Sequence, residues 1–222
     1  TPDGAIWTQT MFTPSYWSRY FEVFDEVKIV ARVQPVVQAS PDWVQVNTGR
    51  TSVEALPYYL GPWEYLLRRQ SVLTSAQQAF TVGDTVLFYS ASPPALAIRK
   101  KLRRLNYPYG VYIIANPYDV FSPGAVRSKL RPFFRWLAPR QLRSLCEEAS
   151  AAAYITEAAL QKRYPPSSTA YTDHYSMAEL PEDTFVKQPR TFVSDQTSWT
   201  LITVGAMSQL YKAQDILIEA IA

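Results

Sequence analysis

Strand-like apolar runs alternate with helix-period runs along most of the chain, and this alternation limits the fold more than any other feature. Lys28–Arg32 (KIVAR), Trp43–Asn47 (WVQVN), Thr85–Tyr89 (TVLFY), Val111–Ala115 (VYIIA) and Ala152–Ile155 read as strands. Thr85–Tyr89 is continuously apolar, as a strand buried on both faces would be. Between these runs, Pro62–Phe80 carries Leu66, Leu67, Leu73 and Phe80 at helical spacing. A second helical stretch puts Ala95, Ile98, Leu102 and Leu105 on one face. A third, Arg131–Ser150, directs Phe134, Leu137, Leu145 and Ala149 inward. Thr156 caps a further helix that Pro165 and Pro166 end.

Strands separated by helices predict an α/β fold: a Rossmann-like, mostly parallel sheet with helices on both faces and right-handed crossovers. In such sheets ligands bind outside the carboxyl ends of the strands. That draws attention to Val33–Val36, Ser90–Pro94, Asn116–Phe121 and Thr156–Glu157. Residues 165–199 are polar, contain proline and show no strand or helix period, so they read as an interdomain linker. Thr200–Val204, Gly205 and the helical pattern Gln214–Ala222 then open a second α/β domain. The expected organisation is a first domain over 1–164, a linker over 165–199 and the start of another domain over 200–222.

Composition removes several classes. The 222 residues hold one Cys and one His, which excludes a zinc site built from those residues, a disulfide framework and any two-histidine mechanism. Cys146 lies in a helical pattern, which suits a reducing compartment. His174 falls in the expected linker and reads as a surface or interdomain residue. The net charge of +3 is too small to imply nucleic acid. No apolar stretch approaches the ~20 residues of a membrane span.

The strongest chemical signal is Val204–Ala222, VGAMSQLYKAQDILIEAIA. A strand, Gly205, a loop and Lys212 ahead of an amphipathic helix put an ammonium beside a helix N-terminus, an arrangement that suits a diphosphate. An ordinary exposed lysine at a strand–helix turn has the same pattern. Asn116 and Asp119 follow a central strand. Either hydrogen-bonds a ligand beyond the strand end, or the pair makes a turn and caps the next element. Ser90 either faces such a ligand or belongs to a rigid proline turn. Thr156 and Glu157 have the pattern of an ordinary helix cap. Arg99, Lys100, Lys101, Arg103 and Arg104 form one basic helical surface, and Arg127, Lys129, Arg131, Arg135, Arg140 and Arg143 a second. Each is either a solvated face or a surface drawn to anionic membrane. Phe133, Phe134 and Trp136 either add an interfacial aromatic cluster to the second surface or pack in the core, and core packing is the expectation.

Val204–Ala222 resembles the start of the donor domain of glycosyltransferase family 4, a family of GT-B fold. YWSRYFEVFDEVKIVARV (Tyr16–Val33), PYGVYIIANPYDVF (Pro108–Phe121) and AAAYITEAALQKRYPP (Ala151–Pro166) resemble its acceptor domain, in the same order. The resemblance implies a retaining transferase that moves a sugar from a nucleotide-diphosphate donor to a saccharide or lipid-linked hydroxyl acceptor. By position, Gly205 and Lys212 match the donor-diphosphate residues, and Ala206 stands where many members carry arginine. Ser90, Asn116, Asp119 and Glu157 fall in the acceptor or sugar cleft. The resemblance implies no metal and no cofactor. It implies polysaccharide or glycolipid biosynthesis at a cytoplasmic site, peripheral to the inner face of the membrane, with the basic residues from Arg99 to Arg104 facing it. It also implies a chain lacking the first acceptor-domain strand and ending one strand–helix unit into the donor domain, so no catalytic residue is assigned. The contrasting expectation is a non-catalytic α/β module that docks to an anionic membrane or a protein partner.

Overall fold

A computed structural model describes residues 1–176, 182–188, 201–203 and 214–221. They fall into two compact units, one formed by Thr1–Thr85 with Ser92–Tyr107, the other by Val86–Ala91 with Pro108–Ala222.

In the first unit, β1 (Trp7–Thr8) pairs antiparallel with β3 (Val44–Gln45). The strand expected over Trp43–Asn47 is thus a short ribbon, not a member of a parallel sheet. β2 (Val27–Arg32) pairs in parallel with β4 (Thr51–Leu56) along its whole length. β4 went unread because Thr51–Leu56 mixes Ser52 and Glu54 with small residues and lacks a continuous apolar run. Its ends nevertheless bury Thr51 and Leu56.

A short helix, α1 (Pro14–Ser18), buries Tyr16 and Trp17. α2 (Gly61–Ala79) begins at Gly61, whose φ of +68° is the left-handed region that glycine enters without strain. Pro62 follows in the first turn, where its missing N–H costs nothing. The buried side of α2 is Val72, Ala76 and Ala79. Leu66 and Leu67, expected inward, are exposed, Leu67 by 87%. The small side chains win because α2 packs on α3 (Pro93–Arg104), and alanines allow close approach.

α3 buries Ala95, Ile98 and Leu102 as expected, while Leu105 stands half exposed. The helix stops before it can bury Leu105. Asn106 takes φ +48°, Tyr107 N–H donates to the Leu102 carbonyl at 3.0 Å, and Asn106 N–H donates to that of Arg103 at 3.3 Å. This is the Schellman pattern, with asparagine as the residue that tolerates the left-handed position.

Lys28 Nζ lies 2.8 Å from Asp84 Oδ2, and Thr81 N–H donates to the same oxygen at 2.9 Å. Burial pushes the Asp84 carboxyl up, but those two donors outweigh it and hold the group below the ordinary carboxylate range. A depressed pKa stabilises the fold at neutral pH, and the contribution fades as pH falls through the folded value. The pair is about one-third exposed. Solvent screening therefore limits the loss in Asp84→Asn to below about 1 kcal/mol at pH 7. Urea melts of both proteins should converge as the acid limb is entered, and a constant gap down to the lowest pH would contradict this assignment.

In the second unit, β5 (Leu87–Phe88), β6 (Gly110–Ile113), β7 (Ala151–Tyr154) and β8 (Tyr171–His174) form a four-stranded, wholly parallel sheet in that order. With its helices this is an α/β arrangement with a parallel sheet, compatible with the Rossmann-like fold expected from the alternation. Val111, Ile113, Ala152 and Tyr154 give the sheet a fully buried face. β8 was not anticipated. Residues 165–199 show no strand period, yet Tyr171–His174 pairs with Ala151–Tyr154 in register. All four residues of β8 are exposed, so backbone pairing, not apolar patterning, makes the strand. His174 therefore ends an edge strand beside Asp173 and does not lie in a linker.

Three further helices are α4 (Pro117–Val120), α5 (Arg131–Glu147) and α6 (Ala159–Arg163). α5 contains Pro139, and its fully buried residues, Leu142, Leu145 and Cys146, all follow that proline. Phe133 and Trp136 precede it and are 51% and 53% exposed, contrary to their expected place in the core. The N-cap of α6 is Ala158 and not the expected Thr156, which stands two residues earlier and still ties the helix start: its Oγ1 accepts from Leu160 N–H at 2.9 Å, and its carbonyl accepts from Gln161 Nε2. α7 (Gln214–Ile221) lies where a helix was read.

Candidate functional site

Parallel pairing brings the carboxyl ends of β5 to β8 to one edge of the sheet. Adjacent strands lie about 4.8 Å apart. Tyr89–Ser90, Asn116, Thr156–Glu157 and Tyr175 follow those ends in turn. Ser90 and Glu157 are exposed there. Gly205 and Lys212 lie outside the described residues.

Asn116 is held from three directions. It occupies the N-cap of α4, and its Oδ1 accepts from Tyr118 N–H at 3.2 Å. The same oxygen accepts from the Tyr164 hydroxyl at 2.5 Å. Its Nδ2 donates to Asp119 Oδ2 at 2.5 Å. Both acceptor positions of Oδ1 are thereby filled, leaving one Nδ2 hydrogen and the exposed Asp119 carboxylate. The turn-and-cap reading of this segment is thus the observed local structure, and it orients a carboxylate and an amide N–H outward.

The restraint on Asn116 reaches into the core. Tyr164 is 1% exposed, and its carbonyl accepts from the buried Tyr154 hydroxyl at 2.7 Å. Burial pushes the Tyr164 phenol up, with the Asp119 charge adding to it and Arg163 and Arg143 opposing. The phenol stays protonated at neutral pH and serves as a donor. Burial likewise raises Tyr154. Arg135 stacks over Tyr118 at 3.9 Å, and its Nε donates to the Tyr118 carbonyl at 3.2 Å. Arg163 lies 4.7 Å over the same ring. Neither tyrosine was singled out from sequence. Their partners lie as many as 48 positions away, and only the sheet register brings them together.

Tyr89, Tyr112 and Tyr175 share the other face of the sheet, with centroid separations of 4.9 Å and 5.3 Å. Ala153, beside Tyr112 in the register, leaves room for the contact with Tyr175.

The basic helices differ from one another. On α3, Lys101 Nζ donates to the carbonyls of Gln77 at 2.6 Å and Phe80 at 3.0 Å, so it caps α2 and does not face outward. Lys100, Arg103 and Arg104 are exposed, and Arg99 is half-buried. On α5, Arg131 donates to the Phe121 carbonyl, Arg140 to that of Trp136 and Arg143 to that of Arg163. These arginines are partly committed to holding the fold.

A concavity of about 640 Å³ in the first unit is lined by Thr1, Asp3, Trp7, Val37, Ser40 and Trp43 among others, none of them an expected site residue. Among the described residues, no three His, Cys, Asp or Glu side chains cluster as a metal site. No helix among them is long and apolar enough to cross a membrane.

No protein-family model matches the chain, and no solved structure matches it. Among curated proteins it is similar to protein CapJ of Staphylococcus aureus, 21% identical over 157 residues, which is 69% of this chain. The chain spans 39% of the length of that relative.

Proposed function

We propose that this chain is the acceptor-binding part, with the beginning of the donor-binding part, of a retaining glycosyltransferase that builds a polysaccharide or glycolipid from a nucleotide-diphosphate sugar. The observation that carries the reading is the sheet edge. Ser90, the Asn116–Asp119 pair and Glu157 follow the carboxyl ends of three of its parallel strands, β5, β6 and β7, and in α/β sheets ligands commonly bind beyond such ends. The likeness to CapJ and the family-4 pattern of Val204–Ala222 support it.

In this reading Asp119 and the free Asn116 N–H bind sugar or acceptor hydroxyls, and the buried tyrosine pair keeps them oriented. Orientation of this kind is a large share of catalysis where two substrates must meet. Lys212 and the helix after it stabilise the charge that develops on the departing diphosphate.

The test is release of nucleoside diphosphate by the full-length protein, with a panel of UDP- and GDP-sugars and an acceptor extract. Lys212→Ala is expected to lower kcat/KM about 100-fold, the usual loss when one charge-stabilising donor is removed. Asp119→Asn is expected to act mainly on acceptor KM. No turnover with any donor, or a Lys212→Ala enzyme as active as wild type, would overturn the reading.

A further inference from the structure

The geometry points to a membrane-docking patch on the first half of α5 and the loop before it, with an anionic bilayer surface as its partner. Three observations meet there. First, Phe133 and Trp136 are half exposed and Leu130 is 36% exposed, although the helix continues into a fully buried second half. Pro139 marks the division: the part after it is anchored in the core and the part before it presents aromatic rings outward. Second, the rings are held for presentation. Phe133 contacts Phe134 at 5.5 Å and Trp136 at 6.1 Å, Phe134 stacks on Phe121 at 5.6 Å, and Arg140 lies 4.4 Å over Trp136. Third, the charge is of one sign. Residues 120–146 contain Arg127, Lys129, Arg131, Arg135, Arg140 and Arg143 and no Asp or Glu.

Arg127 and Lys129 are exposed and have no hydrogen-bond or ion-pair partner among the described residues. The nearest acids in sequence are Asp119 on α4, hydrogen-bonded to Asn116, and Glu147, about 16 Å along the helix from Trp136 at 1.5 Å per residue. Tryptophan and phenylalanine beside uncompensated arginine and lysine match the headgroup level of a bilayer, where rings enter the interface and cations meet anionic lipid. A neutral protein partner would gain nothing from six cations without a carboxylate among them. Both basic surfaces have cations engaged by backbone carbonyls, Lys101 on α3 and Arg131, Arg140 and Arg143 on α5; what sets the α5 patch apart is the exposed Phe133 and Trp136 among its cations. It also stands independently of any transferase activity.

The test is co-sedimentation of the full-length protein with phosphatidylcholine vesicles and with vesicles containing about 30 mol % phosphatidylglycerol. Binding is expected to the anionic vesicles and to be lost in ~0.5 M salt, where the Debye length falls to a few ångströms. Arg127→Ala/Lys129→Ala should weaken it about 25-fold, roughly 5-fold per cation. Phe133→Ala/Trp136→Ala should weaken it at least about 10-fold, since each ring contributes buried apolar area. Both variants alter exposed side chains, and unchanged thermal melts would show that the fold is kept. Lys100→Ala/Arg104→Ala on α3 should bind as wild type. Equal pelleting with neutral and anionic vesicles would overturn the proposal. So would unaltered binding by the α5 variants, or a self-association or oligonucleotide affinity that the α5 variants abolish while vesicle binding is absent.

Discussion

Tyr154→Ala is expected to destabilise the protein by about 3–5 kcal/mol, the usual cost of deleting a buried aromatic ring. It should also lower the thermal midpoint on the order of 10 °C for a chain of this size. The residue is fully buried on β7, and its hydroxyl donates to the Tyr164 carbonyl at 2.7 Å. Removing the ring opens a cavity and strips that carbonyl of its donor. Tyr154→Phe separates the two effects. It keeps the ring and should cost about 1–3 kcal/mol, the penalty for leaving one buried polar group unmatched. Because Tyr164 also holds Asn116, the alanine variant should loosen the sheet edge as well as the core. Guanidinium melts followed by circular dichroism measure the cost. A loss below about 1 kcal/mol for Tyr154→Ala would show that this network does not organise the unit.

Leu102→Ala is expected to cost about 2–5 kcal/mol. Leu102 is 0% exposed in the first unit and accepts the Tyr107 N–H that closes α3. Leu105, one turn later on the face that sequence periodicity assigns inward, is 49% exposed. Leu105→Ala should therefore change stability by no more than about 0.5 kcal/mol. Equal effects at the two positions would contradict the placement of the helix end at Asn106. The contrast isolates burial from hydrophobicity, since the residue type and the substitution are the same.

That contrast also shows where sequence periodicity loses force. Spacing of three and four correctly turned Ala95, Ile98 and Leu102 inward, but it carries no information about where a helix stops. The stop at Asn106 is a matter of backbone conformation at one residue. On α2 the larger side chains misled. Leu66 and Leu67 carry the stronger hydrophobic signal, while the residues that α2 buries are Val72, Ala76 and Ala79. Close helix packing rewards small residues, and hydropathy ranks them low.

The strands divide in the same way. β6 and β7 lie in the middle of the sheet and were readable as apolar runs. β4 and β8 were not, because their residues are polar or exposed along much of their length and partners far along the chain define them. The candidate site was legible in position only. The rule that ligands gather beyond strand ends located Asn116 and Asp119. It did not reveal that Asn116 is fastened by Tyr164, which lies at the end of another helix, or that Tyr118 is clamped beneath Arg135 and Arg163. Tertiary register creates those contacts, and no local pattern encodes them.

Cys146 offers a practical consequence. It is the sole cysteine of the chain, and it is fully buried on the anchored half of α5. Desolvation, helped by the neighbouring charge of Glu147, pushes its thiol up to about 12. Thiolate, not thiol, is the form that attacks alkylating and disulfide reagents, so burial and the raised pKa both work against modification of Cys146 near neutral pH. No other thiol in this chain competes with an introduced one. A cysteine introduced at an exposed position such as Ser90, Trp136 or Glu157 would react alone, giving a single attachment point for a dye, a spin label or a crosslinker.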